Sequence, residues 1–285
     1  MTETLLLCTD LDRTILPNGR HPESPGARAL FSRLAAHERL VLVYVSGRDE
    51  RLLREAIRQY HLPEPDFAIG DVGAALFETR PGWRTMATWH EEIAPDWGGA
   101  DHEQITRLFH DLEILKLQEP EKQGRFKVSY YLPADTDTRW LLPEMERRLR
   151  KNAIRANLIW SIDDIEGVGL LDILPRGANK LHAIQFLRRR LGIPEARTVF
   201  AGDSGNDLPV LCSGLRSILV ANAREDVRQA ALRALEEQGL SERLYPATGG
   251  YMGMNGNYAA GVVEGVVHFF PETRAWAGAP DEKAR

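Results

Sequence analysis

Four short stretches of this chain carry residue types that could do phosphoryl chemistry. Asp10 and Asp12 stand two apart, after the apolar run 4–9. Ser46, Gly47 and Arg48 follow a second apolar run, 40–45. Lys180 opens a helical pattern directly after Asn179. Asp203 and Asp207 lie in Gly202-Asp203-Ser204-Gly205-Asn206-Asp207, after the run 198–201. Carboxylates gathered at one site repel each other unless a cation neutralises them, and hard oxygen donors favour magnesium. A carboxylate at a strand end, such as Asp10, can attack phosphorus as a nucleophile. The repulsion between two anions must first be cancelled, which magnesium and a lysine do. Asp12 can protonate the leaving oxygen and later deprotonate the attacking water. Ser46 offers a hydroxyl, and Gly47 an exposed backbone amide, to phosphate oxygens. Arg48 either meets substrate or pairs with a carboxylate of the site.

Taken singly, each stretch reads as a turn, a helix cap or a solvated side chain. Their order and their places at strand ends give them meaning. In an open α/β sheet, ligands bind beyond the carboxyl ends of the strands. The elements needed are present as patterns. Apolar runs 4–9, 40–45 and 66–69 alternate with helical patterns at 27–34 and 49–61, which is the order of a doubly wound, Rossmann-like parallel sheet. From 83 to 162 the logic changes to helix (101–112), strand (127–132), helix (137–151) and strand (155–161), predicting an inserted α+β domain. The first pattern resumes with strand 169–173, helix 180–191, strand 198–201, helix 208–212, strand 217–220 and helices 225–237 and 259–270. A polar tail, 275–285, reads as frayed. The domain division expected is thus 1–82 with 163–285 as the core, and 83–162 as the insert.

Composition excludes other classes. Of 285 residues, 41 are acidic and 36 basic, a net charge of −5, which argues against a nucleic-acid groove. No apolar run reaches the roughly 18 residues of a membrane span, and Met1-Thr2-Glu3-Thr4 lacks the basic flank of a signal peptide. The two cysteines, Cys8 and Cys212, sit in apolar settings and read as reduced core thiols of a cytoplasmic protein.

Asp10-x-Asp12-x-Thr14, Ser46, Lys180 and Asp203-x-x-x-Asp207 resemble the four motifs of the haloacid-dehalogenase-like phosphohydrolases. Further segments are similar to the sucrose-phosphate phosphatase branch: 126–131 (Phe-Lys-Val-Ser-Tyr-Tyr), 172–175, 202–207 and 259–265. The similarity runs from about Leu5 to Phe270 and implies magnesium-dependent hydrolysis of a disaccharide phosphate, with the insert as a cap. By position it implies that Asp10, the Asp12 carbonyl and Asp203 hold magnesium. It also implies that Thr14, Gly47, Asn206 and Asp207 support metal and phosphate, and that Ser46 and Lys180 hold phosphate. Arg48, Lys127, Ser129, Tyr130 and Asn179 become the substrate-facing residues. Alternation along 127–132 puts Lys127 and Ser129 on one face and Tyr130 on the other, so all three meet one sugar only if the strand ends or bulges. Arg13 departs from the branch, which usually has Asn or Gly there. So does the loop 247–256, which is rich in Gly and Met.

The resemblance favours sucrose-6-phosphate. Mannosylfructose phosphate and glucosyl- or mannosyl-3-phosphoglycerate would use the same machinery. A phosphomutase and a non-catalytic sugar sensor stand as alternatives, and a receiver domain is disfavoured by its shorter, uncapped chain. A monomer suffices for this architecture, with a sugar-phosphate synthase as an optional partner.

Overall fold

The computed structural model describes residues 4–163 and 166–278. β1 (Leu5–Thr9) is buried at every position. Leu5 and Leu7 join one hydrophobic cluster, while Leu6 and Cys8 alternate to the opposite face and are buried as well. A strand without a polar face is what a sheet covered on both sides requires. Gly26 turns the chain in a left-handed conformation into α1 (Ala27–Ala35), which buries Ala27, Leu30, Phe31 and Leu34 at helical spacing. β2 (Leu40–Val45) follows, then α2 (Glu50–Gln59). The Asp49 carboxylate starts α2 by accepting from Leu52 N at 2.8 Å. β3 (Phe67–Gly70), β4 (Ala75–Glu78) and β5 (Arg84–Thr85) complete this half.

The next elements are α3 (Ala87–Ile93), α4 (His102–Arg107), β6 (Lys116–Leu117), β7 (Val128–Pro133), α5 (Thr138–Lys151), β8 (Ala156–Asp163) and β9 (Val168–Pro175). The chain then runs through α6 (Lys180–Arg190), β10 (Thr198–Gly202), α7 (Leu208–Leu211), β11 (Arg216–Leu219), α8 (Glu225–Glu237), β12 (Leu244–Pro246), α9 (Ala259–Phe269) and α10 (Thr273–Trp276).

The described residues form two sheets in two compact units. The first unit comprises Met1–Arg84 and Lys180–Arg285. Its sheet has the order β12-β11-β10-β1-β2-β3-β4-β5. β12 to β3 are parallel, with β1 between β10 and β2, and β4 returns antiparallel on β3. α1 and α9 pack with Leu5, Leu7, Leu42, Tyr44 and Ile218 in one cluster. The doubly wound core read from the sequence is present. The antiparallel β4 and the short β5 and β12 carry too little pattern to be seen there.

The second unit is Thr85–Asn179, with the antiparallel sheet β6-β7-β9-β8. Here one expectation is corrected. The run 169–173 was expected to resume the core sheet, but it lies in β9, paired with β7 and β8. A buried apolar strand looks the same in either sheet, and the register with β8 decides its place. The helical run 101–112 is also shorter than its pattern, ending as α4 at Arg107 before a series of turns. At the carboxyl end, Ala277 is buried and its carbonyl accepts from Arg33 Nε at 3.0 Å. The tail is therefore anchored at Ala277 rather than frayed from 275 on, although Ala275 and Gly278 are exposed, and the rest of it lies outside the described residues.

Candidate active site

β1 and β10 run side by side and deliver their carboxyl ends together. The Asp10 amide donates to Ala201 O at 2.8 Å, which fixes the Asp10 backbone against β10. Beyond it the chain folds tightly, and the amides of Thr14, Ile15 and Leu16 all donate to Leu11 O. Asp203 follows β10 directly. Gly202 before it is dictated by packing, since a Cβ there would meet the Asp207 side chain at 2.7–2.9 Å. Asp207 also caps its own turn: its Oδ2 accepts from Asp203 N (3.1 Å), Ser204 N (3.2 Å) and Ser204 Oγ (3.2 Å).

Lys180 closes the cluster from the first residue of α6, 3% exposed. Its Nζ donates to Asp10 Oδ1 at 2.8 Å, to Asp207 Oδ1 at 2.7 Å and to Asn206 Oδ1 at 3.3 Å. Asn206 is held in turn by Ser204 Oγ at 2.9 Å. Thr14 is fully buried and donates to Asp203 Oδ1 at 3.1 Å. Six residues from three separate stretches of sequence (Asp10 and Thr14; Lys180; Asp203, Asn206 and Asp207) thus share one hydrogen-bonded network.

Burial and the neighbouring Asp207 and Asp203 push the Asp10 carboxyl up to about 7, against the opposing pull of Lys180. Burial likewise pushes Asp203 up to about 6. Lys180 behaves oppositely: burial disfavours its charge, but Asp10 and Asp207 outweigh that and hold its pKa above the ordinary lysine value. Lys180 and, at the half-exposed edge, Arg13 face three buried carboxylates, so the site is still one positive charge short. Asp10, Asp203 and Asp207 each offer an oxygen within 4.8 Å of the others. That is a hard-oxygen donor set of the kind magnesium takes. Because Lys180 and the turn amides occupy Asp207, Asp10 and Asp203 are the donors best placed to hold such an ion.

Asp12 stands apart from this cluster. Its carboxylate accepts two hydrogen bonds from Arg48: Nε to Oδ2 at 2.8 Å and Nη2 to Oδ1 at 2.6 Å. Asn18 Nδ2 donates to Oδ1 at 2.7 Å. Burial works to raise the Asp12 carboxyl, but the Arg48 fork and Asn18 prevail and hold it below the usual carboxylate range. Of the two roles open to Arg48, this structure shows the carboxylate pair. Ser46 is 1% exposed and its Oγ accepts from Arg48 N at 3.2 Å, while Gly47 is exposed between them. Arg13 adopts φ +60°, a left-handed conformation that Gly and Asn take more easily. That accounts for the residue types usual in the branch at this position. Its guanidinium lies 3.4 Å from Asp203 Oδ2. Asn18 is a residue the sequence reading missed; an Asn six positions past Asp12 carries no spacing signal.

The second unit treats the expected sugar-facing residues differently. Ser129 is fully buried and donates to Asp172 Oδ1 at 2.5 Å. Tyr130 is also buried, on the opposite face of β7 with Val128 and Leu132. Lys127 is half-buried, just before β7, and Asn179 is half-buried just before α6. Cys212, expected in the core, is only partly buried, whereas Cys8 is fully so; both are free thiols.

This geometry has known counterparts. A family model described as Sucrose-6F-phosphate phosphohydrolase matches residues 3–270. The chain belongs to the Sucrose-6F-phosphate phosphohydrolase family. Membership makes it a phosphoric monoester hydrolase of the haloacid-dehalogenase-like kind, with an α/β core and a second sheet. It is 54% identical over 277 residues to a putative HAD-like hydrolase of Nitrosococcus oceani, covering 97% of this chain and 74% of that one. It is 30% identical to the mannosylfructose-phosphate phosphatase of Agrobacterium fabrum, covering 93% and 96%. The sucrose-phosphatase of Synechocystis, solved with sucrose and phosphate, superposes with a TM-score of 0.67 at 25% identity, covering 93% and 98%. The chain spans about half the length of several plant sucrose-phosphatases that it matches. No helix among the described residues is long and apolar enough to cross a membrane.

Proposed function

We propose that this family member hydrolyses the phosphomonoester of a disaccharide, with sucrose-6-phosphate as the first candidate, through a phosphoryl group carried on Asp10. The observation that carries the reading is the buried Asp10–Lys180–Asp207 chain beside Asp203, at the carboxyl ends of β1 and β10. Lys180 takes Asp10 Oδ1 and leaves Oδ2 to attack phosphorus, so that the P–O bond to the sugar breaks as the new one forms. Asp12 is held ionised by Arg48 and Asn18, so it must leave that fork and take up a proton from solvent before it delivers one to the sugar oxygen. It later takes one from the water that frees Asp10. Ser46 and the Gly47 amide hold phosphate oxygens. Asp10, Asp203 and the Asp12 carbonyl would hold magnesium, which when bound would supply the positive charge an anionic nucleophile needs beside an anionic substrate.

The leaving group is read by analogy, and mannosylfructose phosphate is the second reading. It is favoured by the match that extends over 96% of the mannosylfructose-phosphate phosphatase of Agrobacterium fabrum. Phosphate release, with magnesium or with a chelator, from sucrose-6-phosphate, mannosylfructose phosphate, mannosyl-3-phosphoglycerate and simple hexose phosphates tests both readings. A magnesium-dependent preference of about tenfold or more in kcat/KM for one disaccharide phosphate is expected. Equal rates on every phosphate would remove the sugar assignment, and a requirement for a bisphosphate activator would turn the reading to a mutase.

A further inference from the structure

One buried side chain at the same sheet edge has no part in the chemistry above. Asn222 lies in the turn after β11 and is 9% exposed. Its amide bonds in two directions: Nδ2 donates to Arg13 O at 2.6 Å, and Oδ1 accepts from Tyr258 N at 2.8 Å. Both partners have backbone conformations rare for non-glycine residues, φ +60° at Arg13 and φ +52° at Tyr258. Such conformations persist where surrounding contacts over-determine them, and they gather at functional sites. A single buried amide holds both.

The far side of the same loop is held through Tyr258. Its hydroxyl accepts from His21 N at 3.2 Å and donates to His21 O at 3.0 Å. Gly19 lets it approach, since a Cβ there would come within 2.7 Å of that hydroxyl. The segment 13–21 is therefore fixed at both ends. Within it, Asn18 accepts from Arg13 N at 2.8 Å and donates to Asp12, and Thr14 donates to Asp203.

We propose that Asn222 is a positioning residue. By fixing the Arg13 carbonyl, it holds the 13–14 peptide that carries Thr14 to Asp203 and, through the left-handed Arg13, the amide that places Asn18 against Asp12. The bonds of its side chain go to backbone atoms and not to a carboxylate of the site. Its consequence for turnover rests on the phosphatase reading, but its hold on the loop does not.

The test uses the full-length protein and its Asn222→Ala, Arg13→Asn and double variants. Amide hydrogen exchange is read without metal, Mn2+ affinity from the signal of the free ion in electron paramagnetic resonance, and kcat and KM on the preferred sugar phosphate. N222A is expected to speed exchange at residues 12–18 by about tenfold while β1 and β10 keep wild-type protection. It should weaken Mn2+ binding about tenfold and lower kcat about 10- to 100-fold with little change in KM. Asn at position 13 tolerates the left-handed conformation, so the double variant should exchange more slowly at 12–18 than N222A alone. Wild-type exchange in N222A, or a double variant no slower than N222A, would overturn the proposal. Should N222A fail to fold, Asn222→Asp keeps the acceptor for Tyr258 N and removes only the donor to Arg13 O. The same loosening at 12–18 is then expected, and its absence overturns the proposal equally. A wild-type protein that releases no phosphate would sink the phosphatase reading, while loop exchange would still decide the role of Asn222.

Discussion

The site is built on a shortage of positive charge, and single residues show it. Asp10 is buried, one oxygen is taken by Lys180, and burial holds its carboxyl up to about 7. An asparagine there has the same shape but cannot attack phosphorus, and it relieves repulsion with Asp203 and Asp207. Asp10→Asn is therefore expected to lower phosphate release by roughly a thousandfold or more, with metal-free thermal stability equal to or above wild type. Retained turnover would remove Asp10 as the nucleophile. These residues were legible in the sequence because each is chemically distinctive and follows an apolar run. Arg48 was legible as two alternatives, and in this structure its fork pairs with Asp12. Asn18 and Asn222 were not legible. Each acts on a backbone atom, and for Asn222 that atom lies more than 200 positions away, so no spacing announces it.

At the scale of elements, the end of β10 is the tightest piece of construction. Gly202 is the last residue of that strand and its backbone packs directly on the Asp207 side chain. Asp207 has no room to retreat, because Lys180 and the three donors of its own turn hold both of its oxygens. Gly202→Ala is expected to destabilise the protein by about 1–3 kcal/mol. It should also lower kcat, by displacing Asp207 and with it Lys180. Thermal melts and phosphate release check this together, and unchanged values in both would mean that the turn yields without cost. The elements also show how far pattern reaches. β1, β2, β3, α1 and α8 were read within a residue or so, since buried strands and amphipathic helices differ in period. β9 was read as a strand but given to the wrong sheet, because hydrophobicity reports burial and not the partner. Only its antiparallel register with β8, residue by residue from Ala156–Pro175 to Asp163–Val168, settles its place.

For the whole molecule, the acid cluster predicts an unusual dependence of stability on pH. Asp10 and Asp203 titrate near 7 and near 6 in the folded, metal-free protein, but near 4 in an unfolded chain. Between those limits the native state holds protons that the unfolded state has released. Stability changes with pH as the protons bound by the unfolded state minus those bound by the native state. That difference is negative here, so these two groups make metal-free stability fall as pH rises from about 4 to about 7. Asp12 has the opposite sign. Its pKa is lowered by Arg48 and Asn18, so its contribution is present above the unfolded pKa and is lost as pH falls through the folded one. The Asp12–Arg48 pair is about a third exposed, so its term is small. A divalent cation held by the ionised cluster would stabilise the native state by about 2.7 kcal/mol at 100 times its dissociation constant. Protons compete with it, so this gain should grow across the same pH interval. Melting temperatures from pH 5 to 7.5, with a chelator and with magnesium, should therefore diverge as pH rises, the chelated series falling relative to the other. Parallel curves would mean that the cluster neither holds the excess protons nor binds the ion, and that Lys180 and Arg13 suffice to balance the three carboxylates.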